Sequence, residues 1–135
     1  MSVLRGGCHC GALTVELTTS VDPDALELRE CQCTFCRKHV TCNTSDAGGR
    51  AHIVAESEAL ARYSFGLHTA DFLVCRRCGV YIGCIVDDAF FSVNTRTLDY
   101  AFAQATVKSD WSAEDAETRK ARRRTRWTPA TLELR

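Results

Sequence analysis

The 135-residue sequence lacks a long apolar run, an excess of charge of either sign and a recognisable leader. Without an apolar stretch of about 20 residues, no membrane-spanning helix is expected. Seventeen basic and seventeen acidic residues cancel, so any charged partner must be recognised locally and nucleic acid is not expected as a partner. The opening MSVLRGGCHCG has no basic region followed by an apolar stretch, so the expected location is cytoplasmic.

Length and composition predict one domain over residues 1–135. The chain is 45% hydrophobic and 25% charged, which is typical of a globular domain of this size with a real core. No internal repeat or long linker divides it.

Short alternating segments predict a mainly β fold. Residues 12–18 place Leu13, Val15 and Leu17 on one side and polar residues on the other, as in a half-buried strand. Similar signals occur at 26–30, 52–55, 72–74, 80–86 and 90–94. Several short strands with little helix between them indicate mostly antiparallel pairing.

The C-terminal part predicts one helix over about 112–126. Ser112 is the expected N-cap, acidic residues occupy the first turn and basic residues the last, giving about four turns. Asp115 and Arg119 stand at ion-pair spacing. We interpret this segment as a solvated helix; the alternative is a nucleic-acid-binding surface.

Nine cysteines are many for this length, but their number is odd and the expected compartment is reducing. Both features favour metal binding over a disulfide framework. Zinc is favoured over iron because no other redox motif is present.

Two cysteine pairs predict a four-thiolate structural site. Cys8 and Cys10 form a C-x-C, and Cys75 and Cys78 form a C-x-x-C closed by Gly79. Glycine after such a pair allows the positive φ that the turn needs. A metal on all four sulfurs would join the two halves of the chain and stabilise the fold.

A third group, Cys31, Cys33 and Cys36, has no evident fourth ligand, which is typical of a site that keeps a position for a substrate. The alternatives are that Cys42, His39 or His52 completes it, or that the chain has a single mixed site and packs the leftover reduced thiols in its core. Cys42 and Cys84 are expected to be small buried hydrophobes. A three-thiolate zinc would favour thiol chemistry, since the metal lowers the pKa of a bound thiol.

The blocks GGCHCGALTVEL, CQCTFCRKH, FLVCRRCGVYIG and VNTRTLD together resemble the glutathione-dependent formaldehyde-activating enzyme (GFA) family, which shares its domain with centromere protein V. The similarity covers about residues 6–99. It implies a zinc-stabilised β-tent and two zinc ions per chain. The structural zinc would lie on Cys8, Cys10, Cys75 and Cys78, and the catalytic zinc on Cys31, Cys33 and Cys36.

The resemblance further implies a carbon-sulfur lyase that adds glutathione, or a similar thiol, reversibly to formaldehyde or another small aldehyde. Arg37 and Lys38, beside Cys36, are candidates to hold a glutathione carboxylate. One alternative is a non-catalytic zinc module that uses its basic helix to bind nucleic acid or protein. Another is zinc chemistry on a different small electrophile.

Overall fold

The computed structural model describes residues 1–135 and contains eleven strands and two α-helices. The strands are β1 (Ser2–Gly7), β2 (Leu13–Thr19), β3 (Leu28–Cys31), β4 (Asn43–Thr44), β5 (Arg50–Ala55), β6 (Leu60–Tyr63), β7 (Asp71–Cys75), β8 (Tyr81–Val86), β9 (Phe90–Asn94), β10 (Thr106–Ser109) and β11 (Thr128–Leu134). The helices are α1 (Thr34–His39) and α2 (Ala116–Arg126). The predicted mainly β fold is thus confirmed.

All eleven strands belong to one branched sheet whose branch point is β9. The longest path runs β1-β2-β5-β11-β9-β4-β3-β10, while β6 and β7 join it through β8. Most neighbours are antiparallel, but β11 runs parallel to β5 and β10 runs parallel to β3. β11 pairs with Phe91 and β4 with Asn94, so two strands share one edge of β9.

The branching produces two separate hydrophobic cores. The larger has 18 buried residues, among them Cys8 and Cys75. The smaller has seven, among them Cys36 and Cys84. Each of the two predicted cysteine groups therefore borders its own core, where packing on the apolar side fixes the backbone that carries the sulfurs.

The predicted strands are present, with small shifts at their ends. Residues 12–18 correspond to β2, and the segments at 26–30, 52–55, 72–74, 80–86 and 90–94 correspond to β3, β5, β7, β8 and β9. Five strands and the short helix α1 were not predicted. Among them is β11, although its sequence TPATLEL alternates in the way expected of a strand.

The predicted C-terminal helix exists, but its predicted first residue and its predicted ion pair were wrong. Its N-cap is Asp115 rather than Ser112, because the Asp115 side chain accepts a hydrogen bond from the Thr118 N–H at 2.8 Å. The helix has 11 residues, about three turns instead of four. The expected Asp115–Arg119 ion pair is replaced by contacts from Arg119 and Arg122 to Glu114. Neither helix has the length and apolar character needed to cross a membrane.

Candidate metal centres and the adjoining cavity

The first cysteine group brings Cys8, Cys10, Cys75 and Cys78 together, with all four sulfurs within 4.8 Å of one another. Cys10 Sγ lies 3.7 Å from Cys8 Sγ and 3.6 Å from Cys75 Sγ. A disulfide needs about 2.05 Å, whereas sulfurs at about 2.3 Å from a tetrahedral zinc lie about 3.8 Å apart. The sulfur spacing therefore fits a four-thiolate metal site.

Two tight turns aim these sulfurs at one point. Cys8 and Cys10 follow β1, and the Leu13 N–H donates to Cys8 Sγ at 3.2 Å. Cys75 ends β7, and the Gly79 N–H donates to the Cys75 carbonyl at 2.8 Å. Gly11 and Gly79 have φ of +84° and +78°, which confirms the expected positive φ and is disfavoured for other residues.

The second group, Cys31, Cys33 and Cys36, also has all its sulfurs within 4.8 Å of one another. Cys31 ends β3, and Cys33 is the N-cap of α1. The Cys36 N–H donates to Cys33 Sγ at 3.3 Å. The turn from strand to helix thus holds three thiols within six residues, and Cys36 fixes the group to the smaller core.

No fourth His, Cys, Asp or Glu joins this group. His39 is exposed and stacks on Phe35 at 4.4 Å between ring centroids. His52 lies on β5, where its Nδ1 is 2.8 Å from Thr131 Oγ1. Cys42 is 4% exposed and lies outside both groups. The cysteines thus form the two groups that the spacing predicts, one with four sulfurs and one with three.

The protonation of both groups favours a cation among the sulfurs. Hydrogen bonds from Cys31 and Cys36 lower the pKa of Cys33 to about 2. The contact with Cys33 raises the pKa of Cys31, and the contacts with Cys31 and Cys33 raise the pKa of Cys36. In the first group, the backbone N–H of Cys10 lowers the pKa of Cys78 to about 6. Close thiols cannot all ionise unless positive charge balances them, which a divalent metal does.

The three-thiol group opens on a cavity of about 760 Å³, which we call the arginine cavity. Neighbouring strands of the branched sheet supply its floor, since directly paired residues point to the same face. Arg29 pairs with Asn43, and Cys84 pairs with both Ser92 and Phe72. Because Arg29 and Cys31 are two positions apart on β3, they also share this face.

One wall of the arginine cavity is the face of α2 that carries Arg119, Arg122 and Arg123. Their spacing of i, i+3 and i+4 places them on one side of the helix. The side chains of Arg119 and Arg122 are only 17% and 15% exposed. The expectation that α2 is simply a solvated helix was therefore wrong for this face, because tertiary contacts turn it inward.

Glu114 neutralises part of this wall. Its two carboxylate oxygens accept bonds from Arg122 Nε and Nη2, both at 2.9 Å, and Arg119 Nε lies 3.6 Å away. Arg122 lowers the pKa of Glu114. The Arg122 guanidinium also stacks over Trp111 at 4.1 Å. Glu114 thus orients two of the arginines.

Arg29 and Arg123 are the less neutralised cations of the cavity. Burial lowers the pKa of both guanidinium groups, as expected when a charge leaves water. Arg123 Nη1 donates to Thr69 Oγ1 at 2.8 Å, and its guanidinium lies 4.8 Å from the Trp127 ring. Neither arginine has a carboxylate closer than 4.0 Å.

The two residues predicted to hold a glutathione carboxylate, Arg37 and Lys38, lie in different surroundings. Arg37 lines the arginine cavity, whereas Lys38 is exposed on α1 and does not line it. Sequence reasoning missed Arg29, although its i, i+2 relation to Cys31 on a strand was a usable signal. It also missed the role of the arginine face of α2, whose helical periodicity was visible.

Comparisons with known proteins bear on this fold. No family model matches the chain. A crystal structure of a Rhodobacter sphaeroides protein matches with a TM-score of 0.60 and 28% sequence identity, over 78% of this chain and 99% of that chain. The name of that protein states no activity. The similarity therefore supports the fold, and the chemistry must be argued from the site.

Proposed function

We propose that this chain is a zinc-dependent carbon-sulfur lyase of the GFA type. It would add a small thiol, glutathione or a similar one, reversibly to formaldehyde or another small aldehyde. The observation that carries the proposal is the three-thiol group, which has no fourth protein ligand and opens on the arginine cavity. A closed four-ligand site would serve only as a structural clamp, whereas an open one can take a substrate.

The two groups would have different roles. Cys8, Cys10, Cys75 and Cys78 would hold a structural zinc, which stabilises the β-tent that the resemblance implies. Cys31, Cys33 and Cys36 would hold the second zinc. Zinc bound there would lower the pKa of an incoming thiol and so supply its thiolate at neutral pH. The proposed chemistry suits a reducing compartment such as the cytoplasm, and all nine cysteines are free.

The reaction balances without an oxidant or reductant. The thiol sulfur attacks the aldehyde carbon, the C–S bond forms as the C=O π bond breaks, and the thiol proton ends on the oxygen. The arginine cavity would bind and orient the thiol. Its residues include Arg37, which approaches the cavity from α1 beside the three-thiol group.

Binding of nucleic acid or protein through α2 stays a prediction. Arg124 pairs with Asp87 at 2.8 Å, while Arg119, Arg122 and Arg123 face the arginine cavity. Few cations of α2 are thus left on its outer face for a polyanion, and this distribution favours the enzyme hypothesis.

Exchange NMR tests the proposal directly. Thiol and aldehyde also combine without a catalyst, so the exchange rate between glutathione and its hydroxymethyl adduct is measured with and without zinc-loaded protein. We expect catalysis by the unchanged protein and by Cys42→Ala, since Cys42 is buried outside both groups. Cys31→Ala should lose it.

Metal analysis of the same samples completes the test. Unchanged protein and Cys42→Ala should carry two zinc ions per chain, and Cys31→Ala one. The proposed activity would be refuted if protein that carries both zinc ions left the exchange at its uncatalysed rate. This must hold for glutathione with formaldehyde and for other small thiols and aldehydes. A catalytic rate that survives in Cys31→Ala would refute the proposed site.

A further inference from the structure

The arginine cavity carries more positive charge than its own acidic residues can balance. Five arginines and two acidic residues line it. The arginines are Arg29, Arg37, Arg119, Arg122 and Arg123. Of the two acids, Glu114 binds Arg119 and Arg122, and Asp110 accepts a hydrogen bond from the Ser112 N–H at 3.0 Å. A three-thiolate zinc would add one negative charge, so the lining would keep a positive excess.

Arg123 is held in place without a carboxylate. Thr69 accepts its Nη1 hydrogen bond, and the Trp127 ring covers one face of the guanidinium. Arg123 Nε is buried and has no hydrogen-bond partner. A guanidinium offers five N–H donors in a planar fork that matches a carboxylate. Arg123 is therefore positioned and still has donors to offer.

Arg29 is similarly placed on the floor of the arginine cavity. Its side chain is 18% exposed, and its Nη2 donates to Ser45 Oγ at 2.8 Å and Ser92 Oγ at 3.4 Å. Its nearest carboxylate, Glu27, lies 4.0 Å away and is 58% exposed. Hydroxyl groups orient this cation but leave its charge unmatched.

Both guanidinium groups line the same cavity as the three-thiol group. Arg29 also shares its strand face with Cys31, two positions along β3. A neutral molecule such as formaldehyde would leave both cations unpaired within the cavity. Charges taken out of water are costly unless an opposite charge with good hydrogen-bond geometry meets them.

We propose that Arg29 and Arg123 form a carboxylate-binding subsite beside the three-thiol group, so that one of the two reacting molecules is a carboxylic acid. The identity of the reaction rests on the proposed function, whereas the subsite rests on these contacts. The carboxylate belongs either to the thiol or to the aldehyde, and a carboxylate fixed there aligns the reacting atom with the sulfurs.

Calorimetric titration of zinc-loaded protein with matched thiols tests the subsite. The probes are 3-mercaptopropionate, which carries a carboxylate, and 2-mercaptoethanol, which is neutral. Propionate is titrated as a carboxylate without a thiol. We expect Arg123→Gln to weaken propionate binding at least tenfold. The control Arg50→Gln removes the same charge from an exposed residue of β5 that does not line the arginine cavity, and should bind as the unchanged protein does.

Two further samples keep the test decisive. Arg29→Gln removes the second cation, and Arg123→Lys restores charge without the planar fork and should recover only part of the affinity. Circular dichroism checks that each variant is folded. Cys31→Ala should still bind propionate, so the subsite can stand even where the lyase proposal fails. Equal propionate affinity in Arg123→Gln and Arg50→Gln would overturn the proposal.

The source of the carboxylate follows from paired comparisons. A preference for 3-mercaptopropionate over 2-mercaptoethanol that Arg123→Gln abolishes assigns it to the thiol. An Arg123-dependent preference for glyoxylate over formaldehyde in adduct formation assigns it to the aldehyde. Either preference supports the subsite, while the absence of both contradicts the inference that a reacting molecule carries the carboxylate.

Discussion

The two cysteine groups should differ sharply in what they contribute to stability. Cys10 and Cys75 meet although they are 65 positions apart in the chain, whereas Cys31 and Cys36 are only five positions apart. If a metal cross-link restrains the unfolded chain as a disulfide does, the first is worth about 4 kcal/mol and the second about 2 kcal/mol. Typical domains have only about 5–15 kcal/mol in total.

The substitutions Cys10→Ser and Cys33→Ser compare the two groups with the same chemical change. Serine at position 33 can still cap α1, because its hydroxyl accepts a hydrogen bond from the helix N-terminus as Cys33 Sγ does. The loss in Cys33→Ser therefore reports metal binding rather than capping. We expect Cys10→Ser to lower the free energy of unfolding by about 2 kcal/mol more than Cys33→Ser.

Urea unfolding of zinc-loaded protein, followed by circular dichroism, measures this difference. Metal analysis should find one zinc ion per chain in each variant and two in the unchanged protein. Equal losses of stability in the two variants would contradict the division into a structural and an open site. Loss of both metals in Cys33→Ser would contradict it as well, since the sites would then be coupled.

Three other predictions concern metal release, the carboxylate of Glu114 and the turn at Gly79. Metal release to a chelating indicator should be biphasic, with the three-thiol group emptied first because it has fewer ligands and faces the cavity; a single phase would argue against this. The bidentate bond from Arg122 lowers the pKa of Glu114 and outweighs burial, which acts to raise it. The contribution of Glu114 to stability is therefore present above the ordinary Glu pKa and is lost as the pH falls through the lowered pKa. Glu114→Gln should lower the free energy of unfolding by about 2 kcal/mol at neutral pH. It should also weaken the loss of stability in acid, which urea unfolding at several pH values measures. Gly79→Ala should lower the free energy of unfolding by about 1–2 kcal/mol, because residue 79 has a positive φ. No steric clash adds to this cost, since open space surrounds the position. Thermal unfolding measures the change.

The sequence could predict the parts of this protein that depend on local chemistry. Alternation in residues 12–18 located β2, and the turn chemistry around Gly79 predicted the positive φ. Cysteine spacing separated the two groups because a sulfur pair on a tight turn can serve only one metal. The branched sheet was not predictable in this way, since β11 reaches β5 across more than 70 intervening residues and the parallel pairing has no local signal.

The helix α2 shows most clearly why the arginine cavity escaped prediction. Balanced charges in its sequence favoured a solvated surface, and the acidic residue assigned to Arg119 was Asp115 at helical spacing. In the fold, Asp115 caps the helix, and Glu114 gathers Arg119 and Arg122 from outside the helix. The ion pair Arg124–Asp87 fixes the opposite side of α2 to the turn after β8. Net charge therefore conceals that Glu114 matches Arg119 and Arg122 on the inner face while no carboxylate pairs with Arg123. Only tertiary contacts decide which arginines face the three-thiol group.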